Sequence, residues 1–358
     1  MDDEGGASPV SRPKDATKKS RVQGHLVLLS INVCASGWHV LAKVALDIGA
    51  NVVALTLAYG ACRAIVLSMI AQRVDGAVSL DPAHAVRFLW IGLASCGNMV
   101  GAMLALRHFS AVTSGAMAIF LRISVKFVLL ALGLEQMSRL KVIGILISMW
   151  GTAVWVVLAV GTTDWAASDS DGPATAAAAT AGPVAAAMET GTVEARWGWG
   201  WVASLIIWRL MSAAILFVLE RPMREDYPET TLDSWTYAAG SIATLVVGVI
   251  CGVQPVDFLL TGQWEPWIAI MHGVLFVTVY TPKAYDWLVH VVHLRTEIMY
   301  MVLQPVTTAI LSIAFLNTPL TAHEMLGGQV IGLVVGVAVC VTCLMESRER
   351  QRGNSNRP

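Results

Sequence analysis

Stretches of about twenty apolar residues recur along this chain, and that recurrence restricts its fold more than any other feature. They fall at about 25–46, 52–72, 86–106, 111–134 and 141–161, and again at about 198–219, 233–253, 267–289, 296–316 and 325–345. A helix needs ~20 such residues to cross the hydrocarbon layer, where each backbone N–H and C=O must be bonded within its own segment. The predicted fold class is therefore an all-α integral membrane protein with ten transmembrane helices. Composition agrees, since 56% of the 358 residues are hydrophobic and only 14% are charged, against roughly a quarter charged in soluble domains. A net charge of −1 leaves no domain-wide basic surface for nucleic acid.

The apolar segments come in two sets of five, separated by "TTDWAASDSDGPATAAAATAGPVAAAMETGTVEARW". Ala, Thr, Gly and Pro of this kind cannot build a packed core, so 162–197 reads as a low-complexity linker. The domain plan is a disordered tail at 1–24, a first five-helix repeat at 25–161, the linker, a second five-helix repeat at 198–345 and a basic tail at 346–358. Lys and Arg divide unevenly between the two sides. The side of the termini holds sixteen, including Lys18, Lys19, Arg73, Arg87, Arg139, Arg224 and Arg350, and the opposite side holds Arg107 and Arg196. Basic loops stay cytosolic, which places both termini in the cytosol, in a plasma or organelle membrane, and requires an even number of spans.

Five helices per half force the second half to enter the membrane upside down, as in the inverted repeats of secondary transporters. The segments "LRISVKFVLLALGLEQMSRLKVIG" (121–144) and "QPVTTAILSIAFLNTPLTAHEMLG" (304–327) share a pattern: an apolar helix, a polar turn, then an amphipathic re-entry ending in glycine. At these residues the chain resembles the EamA-type branch of the drug/metabolite transporter superfamily. The resemblance rests on Pro305, Pro319, Leu320 and Gly327 in the second half and on Glu135 in the first. It extends to Lys43, Gly49 and Arg63 in "LAKVALDIGANVVALTLAYGACR" and to "VYTPKAYDW" at 279–287. Arg122 stands where the family has the fourth-helix proline, and Thr318 where it has a second glutamate. The resemblance implies a secondary transporter with alternating access, in which the fourth helix lines a central cavity.

Six cations lie inside apolar segments: Lys43, Arg63, Arg122, Lys126, Arg209 and Lys283. Each costs about 2.5–3.5 kcal/mol at a bilayer centre even on the lenient insertion scale, so each needs water, a counter-charge or a headgroup. Arg122 and Lys126 share one helix face at i, i+4, where like charges repel. A basic cavity face that receives an anion accounts for that pair. Arg63, Gln304, Thr308 and Tyr280 are expected to complete the substrate site. Lys43, Glu135, Pro305, Lys283 and Asp286 take gating or structural roles, with Lys283 and Asp286 spaced for an intrahelical pair and Lys43 near a helix end, where it can snorkel. Arg209 points toward the headgroups, and Trp38, Trp208 and Trp287 are expected in the interfacial belt.

Other chemistries find little support. All six cysteines fall in apolar runs, and Cys340 and Cys343 have CxxC spacing without a second pair or a nearby His. The "HVVH" at 290–293 stands alone, so no metal or other cofactor is expected. No GxxxxGK[ST] loop provides for ATP. No acid, base and nucleophile set converges, which argues against an enzyme. The expected partners are the lipid bilayer and a small anionic metabolite, and a homodimer is compatible with the pattern. A phosphate-sugar or nucleotide-sugar exchanger is the alternative within transport, and a membrane-embedded enzyme or a non-transporting sensor is the alternative outside it.

Overall fold

The computed structural model describes residues 18–76, 81–131, 133, 199–260, 264–291, 300 and 303–316. All regular structure among them is helical. The helices are α1 (Lys18–Asp47), α2 (Val52–Val74), α3 (Ala85–His108), α4 (Ala111–Ala131), α5 (Trp199–Asp226), α6 (Glu229–Ile250), α7 (Glu265–His272), α8 (Thr281–Val291) and α9 (Leu303–Leu316). A π-helical segment, Gly273–Tyr280, joins α7 to α8 without a break. The predicted spans 141–161 and 325–345, the linker, Glu135, Cys340 and Cys343 lie outside the described residues.

Among the described residues, four helices are long and apolar enough to cross a membrane: Val22–Asp47, Val52–Val74, Pro82–His108 and Ala203–Asp226. Their packing is that of a bilayer protein. Large side chains such as Leu89, Trp90, Ile242 and Val246 are exposed, while Thr56, Ser95, Ser241 and Thr244 are buried. Lipid solvates apolar surface as well as another helix does, so small residues that permit close approach occupy the interfaces. A Cβ on Gly92 of α3 would lie 2.7 Å from the Ala239 Cβ of α6.

The turns have local causes. Gly49 closes α1 at φ 100°, with its N–H bonded to Leu46 and that of Ala50 bonded to the Ala45 carbonyl, the double bond that a left-handed residue makes possible at a helix end. Asn51 then starts α2 by accepting from the N–H groups of Val53 and Ala54. Two boundaries differ from expectation. Helix α1 begins at Lys18 rather than near residue 25, so part of the predicted tail is helical. Helix α5 continues beyond residue 219, through Pro222, to Asp226. Met223, fully buried with Phe88, Ile91 and Leu232, anchors that extension.

The described helices close a ring in the order α2, α6, α3, α5, α4, α9, α1 and the α7–π–α8 run, which returns to α2. Helix α1 also touches α3 across the ring. That contact separates a side bounded by α2 and α6 from a side bounded by α4, α5 and α9. Apolar clusters fill both sides near the end that carries the 47–52 and 108–111 turns. One joins Trp38, Leu55, Met103 and Ile270, and the other joins Phe109, Val112, Met117 and Leu205. At the opposite end the clusters among the described residues join neighbours, α3 with α5 and α6, and α1 with α8.

Candidate functional site

On the α2–α6 side, Tyr59 and Arg63 stand one turn apart on α2. The Arg63 guanidinium lies 3.7 Å from the Tyr237 ring centroid and 5.0 Å from that of Tyr59. Its Nη2 donates to the Tyr237 hydroxyl at 2.6 Å. Asp233, one turn before Tyr237 on α6, is close enough for its charge to act on Arg63. Trp38 of α1 extends the stack, its ring 4.1 Å from that of Tyr59 at 26°. The start of the π segment packs on these two rings, where a Cβ on Gly273 would fall 2.6 Å from each. Trp38 is thus a buried packing residue and not part of an interfacial belt, whereas Trp208 and Trp287 are exposed.

On the α4–α9 side, Gln304 and Thr308 follow one another at i, i+4 along α9, and both are buried. Three hydroxyls converge on the Gln304 backbone carbonyl: Ser36 of α1 at 3.1 Å, Thr307 at 2.9 Å and Thr308 at 2.7 Å. The Ser36 and Thr307 oxygens are also 2.6 Å apart, so the protons of these hydroxyls are spent on the backbone or on one another. The Gln304 amide nitrogen, by contrast, is buried and has no hydrogen-bond partner among the described residues. Helix α4 completes this seam. A Cβ on Gly115 would meet Thr308 at 3.4 Å and the His39 ring of α1 at 3.7 Å.

The remaining predicted residues scatter. Arg122 and Lys126 lie on α4, but their side chains are outside the described ones. Tyr280 sits in the π segment with its hydroxyl 2.6 Å from Ser30, packing α8 on α1 rather than joining Gln304. Lys43 pairs with Asp47 at 2.9 Å and donates to the Arg107 carbonyl at 3.2 Å, which ties α1 to the end of α3. Lys283 and Asp286 are exposed on α8, and among the described residues no ion pair joins them. Pro305 is buried in the first described turn of α9. Arg209 does not reach toward headgroups: it is buried, with its Cγ 2.7 Å from where a Gly101 Cβ would lie on α3. No group of three or more His, Cys, Asp or Glu suited to a metal is found among the described residues.

Sequence reasoning missed Asp233, Tyr59 and Tyr237. Two spacings were available to find them: Tyr59 four residues before Arg63, and Asp233 four residues before Tyr237. Each pair shares one helix face, but nothing local joins one helix to the other across 174 residues.

No family model matches the chain. Among solved structures, one described only as a crystal structure of a protein is similar to it, with a TM-score of 0.52 and 14% identity over 92% of this chain and 99% of that one. At that identity the likeness is one of fold.

Proposed function

We propose that this protein is a secondary transporter of the EamA type, with ten spans in two inverted repeats, that moves a small anionic metabolite by alternating access. The order of neighbours in the ring supports the repeat. Exchange α1 with α5, α2 with α6, α3 with the α7–π–α8 run and α4 with α9, and the ring maps onto itself. The pairs α2–α6 and α4–α9 map onto themselves, α3–α5 exchanges with the contact of α1 on the α7–π–α8 run, and α1–α9 exchanges with α4–α5. A pseudo-twofold axis between the halves has that effect. The basic loops assign the end of the 47–52 turn to the extracytosolic side. Among the described residues, the clusters that bridge the bundle lie at that end.

One observation carries the substrate reading: Gly115 of α4 abuts Thr308 and His39. At 100° per residue, positions 122 and 126 fall within about 20° of Gly115 around the helix axis. The two cations therefore belong to the helix face that meets α1 and α9, not to a lipid face. Arg provides a planar fork for an oxyanion and Lys a point charge.

The direct test is counterflow into liposomes that hold the purified full chain, loaded in turn with organic acids, amino acids, phosphorylated sugars and nucleotide sugars. Uptake of a labelled member of one class against its unlabelled pool is expected. A folded protein that binds such a compound without flux overturns transport in favour of a sensor.

A further inference from the structure

We infer that the Gln304 side-chain amide is the donor that reads an oxygen of the substrate's anionic group, so that this site selects oxyanions, carboxylate or phosphate. The inference rests on the transport reading for its setting and deepens it. Gln304 is 2% exposed, and its amide nitrogen has no partner among the described residues. A buried, unpaired polar group of this kind costs about 1–3 kcal/mol, and a fold that keeps one has a use for it or a defect. Two turns on along the same face of α9, the Ser312 hydroxyl is likewise buried and without a partner among the described residues.

The geometry also excludes the neighbouring hydroxyls as the primary donors. Ser36, Thr307 and Thr308 spend their hydroxyl protons on backbone carbonyls, chiefly that of Gln304, or on one another, the Ser36 and Thr307 oxygens lying 2.6 Å apart, and those bonds hold the Gln304 backbone against α1. What remains to give is the amide N–H. Its depth is suitable. Gly115 faces Thr308, and α9 runs antiparallel to α4, because Ser36 and His39 of α1 meet 304–307 and 308 in the same order. Gln304 therefore sits about 6 Å from the Gly115 level and Arg122 about 10 Å, both toward the cytosolic end. An oxyanion held by the α4 cations would find the Gln304 amide within one turn of the Arg122 level and about two turns from that of Lys126. A soft or cationic ligand would leave this donor unused.

The test uses the full chain in detergent, with inorganic phosphate in one arm and succinate in the other, read by melting temperature and by titration calorimetry. The arm that binds identifies the source of the oxyanion. Gln304→Met keeps the length and removes the donor, and it should weaken binding about ten- to a hundredfold, the range of one hydrogen bond to a charged group. Its melting temperature without anion should be unchanged or higher, since an orphaned polar atom is gone. Gln304→Glu should weaken binding at least as much, and it carries the same readout if the Met variant does not fold. Equal affinity in Gln304→Met and the unaltered protein overturns the assignment, as does failure of both probes to bind the unaltered protein. Absent counterflow with this binding pattern intact counts against transport alone, and flux unaffected by Gln304→Met counts against the donor alone.

Discussion

Arg63 and Gln304 are both buried polar residues, and they lie on opposite sides of the contact between α1 and α3. The first is engaged by its own chain: its guanidinium lies against two tyrosine rings, its Nη2 donates to the Tyr237 hydroxyl and the charge of Asp233 acts on it, while its Nε is buried with no hydrogen-bond partner among the described residues. The second retains donors with no partner among the described residues, on a seam that faces the α4 positions of two further cations. The difference is one of how much each spends on the fold: Arg63 commits its charge and Nη2 to Tyr59 and Tyr237, and the Gln304 amide nitrogen commits nothing. On that ground we propose that Arg63, which its family position put in the substrate set, serves chiefly the packing of α2 on α6.

That division can be broken at several points, the most severe being Arg63→Leu. Loss of a desolvated cation–π contact and of a hydrogen bond from a charged group should cost about 3–5 kcal/mol. A lowered unfolding midpoint in detergent checks it, while the affinity for anions in the surviving folded fraction should not change. Weakened binding at unchanged stability would return Arg63 to the substrate site. Gly273→Ala should come next, at about 1–3 kcal/mol, because the added methyl group meets Trp38 and Tyr59 at 2.6 Å. The same melting assay measures it, and no loss of stability would mean that the stack yields freely. Lys43→Met should cost less than about 1 kcal/mol, because the Asp47 partner is half exposed and solvent screens the pair. A larger drop would make the end that carries the 47–52 turn, and not the Arg63 stack, the firmer lock.

Much of the helix pattern was legible because the bilayer imposes one length and one composition on every span. The turn at 47–52 falls in the gap between two apolar segments, and the local chemistry of Gly49 and Asn51 that shapes it came from the structure. The inward faces were not legible. In lipid both faces of a helix are apolar, so hydropathy separates span from loop but not core from surface. Trp38 illustrates the difficulty: sequence alone does not distinguish a belt tryptophan from one stacked in the interior. The π segment carries no sequence signal comparable to a cap, and it shows in the structure, where the Thr281 N–H bonds the Phe276 carbonyl five residues back. The Arg63 partners come from the other half of the chain, and the hydroxyls that fix Gln304 come partly from α1. Contacts at that separation are set by assembly of the bundle, not by any window of residues.

The central claim is that the α4 cations serve an anion while the α2 cation serves the fold. Anion affinity and melting temperature, measured together for Arg122→Gln and Lys126→Gln, test it most directly, with phosphate or succinate as the probe. Each substitution should weaken binding at least tenfold, about 1.4 kcal/mol, while relief of like-charge repulsion leaves the melting temperature equal or higher. A lower melting temperature with unchanged affinity would contradict the claim and place Arg122 and Lys126 in the same structural role as Arg63.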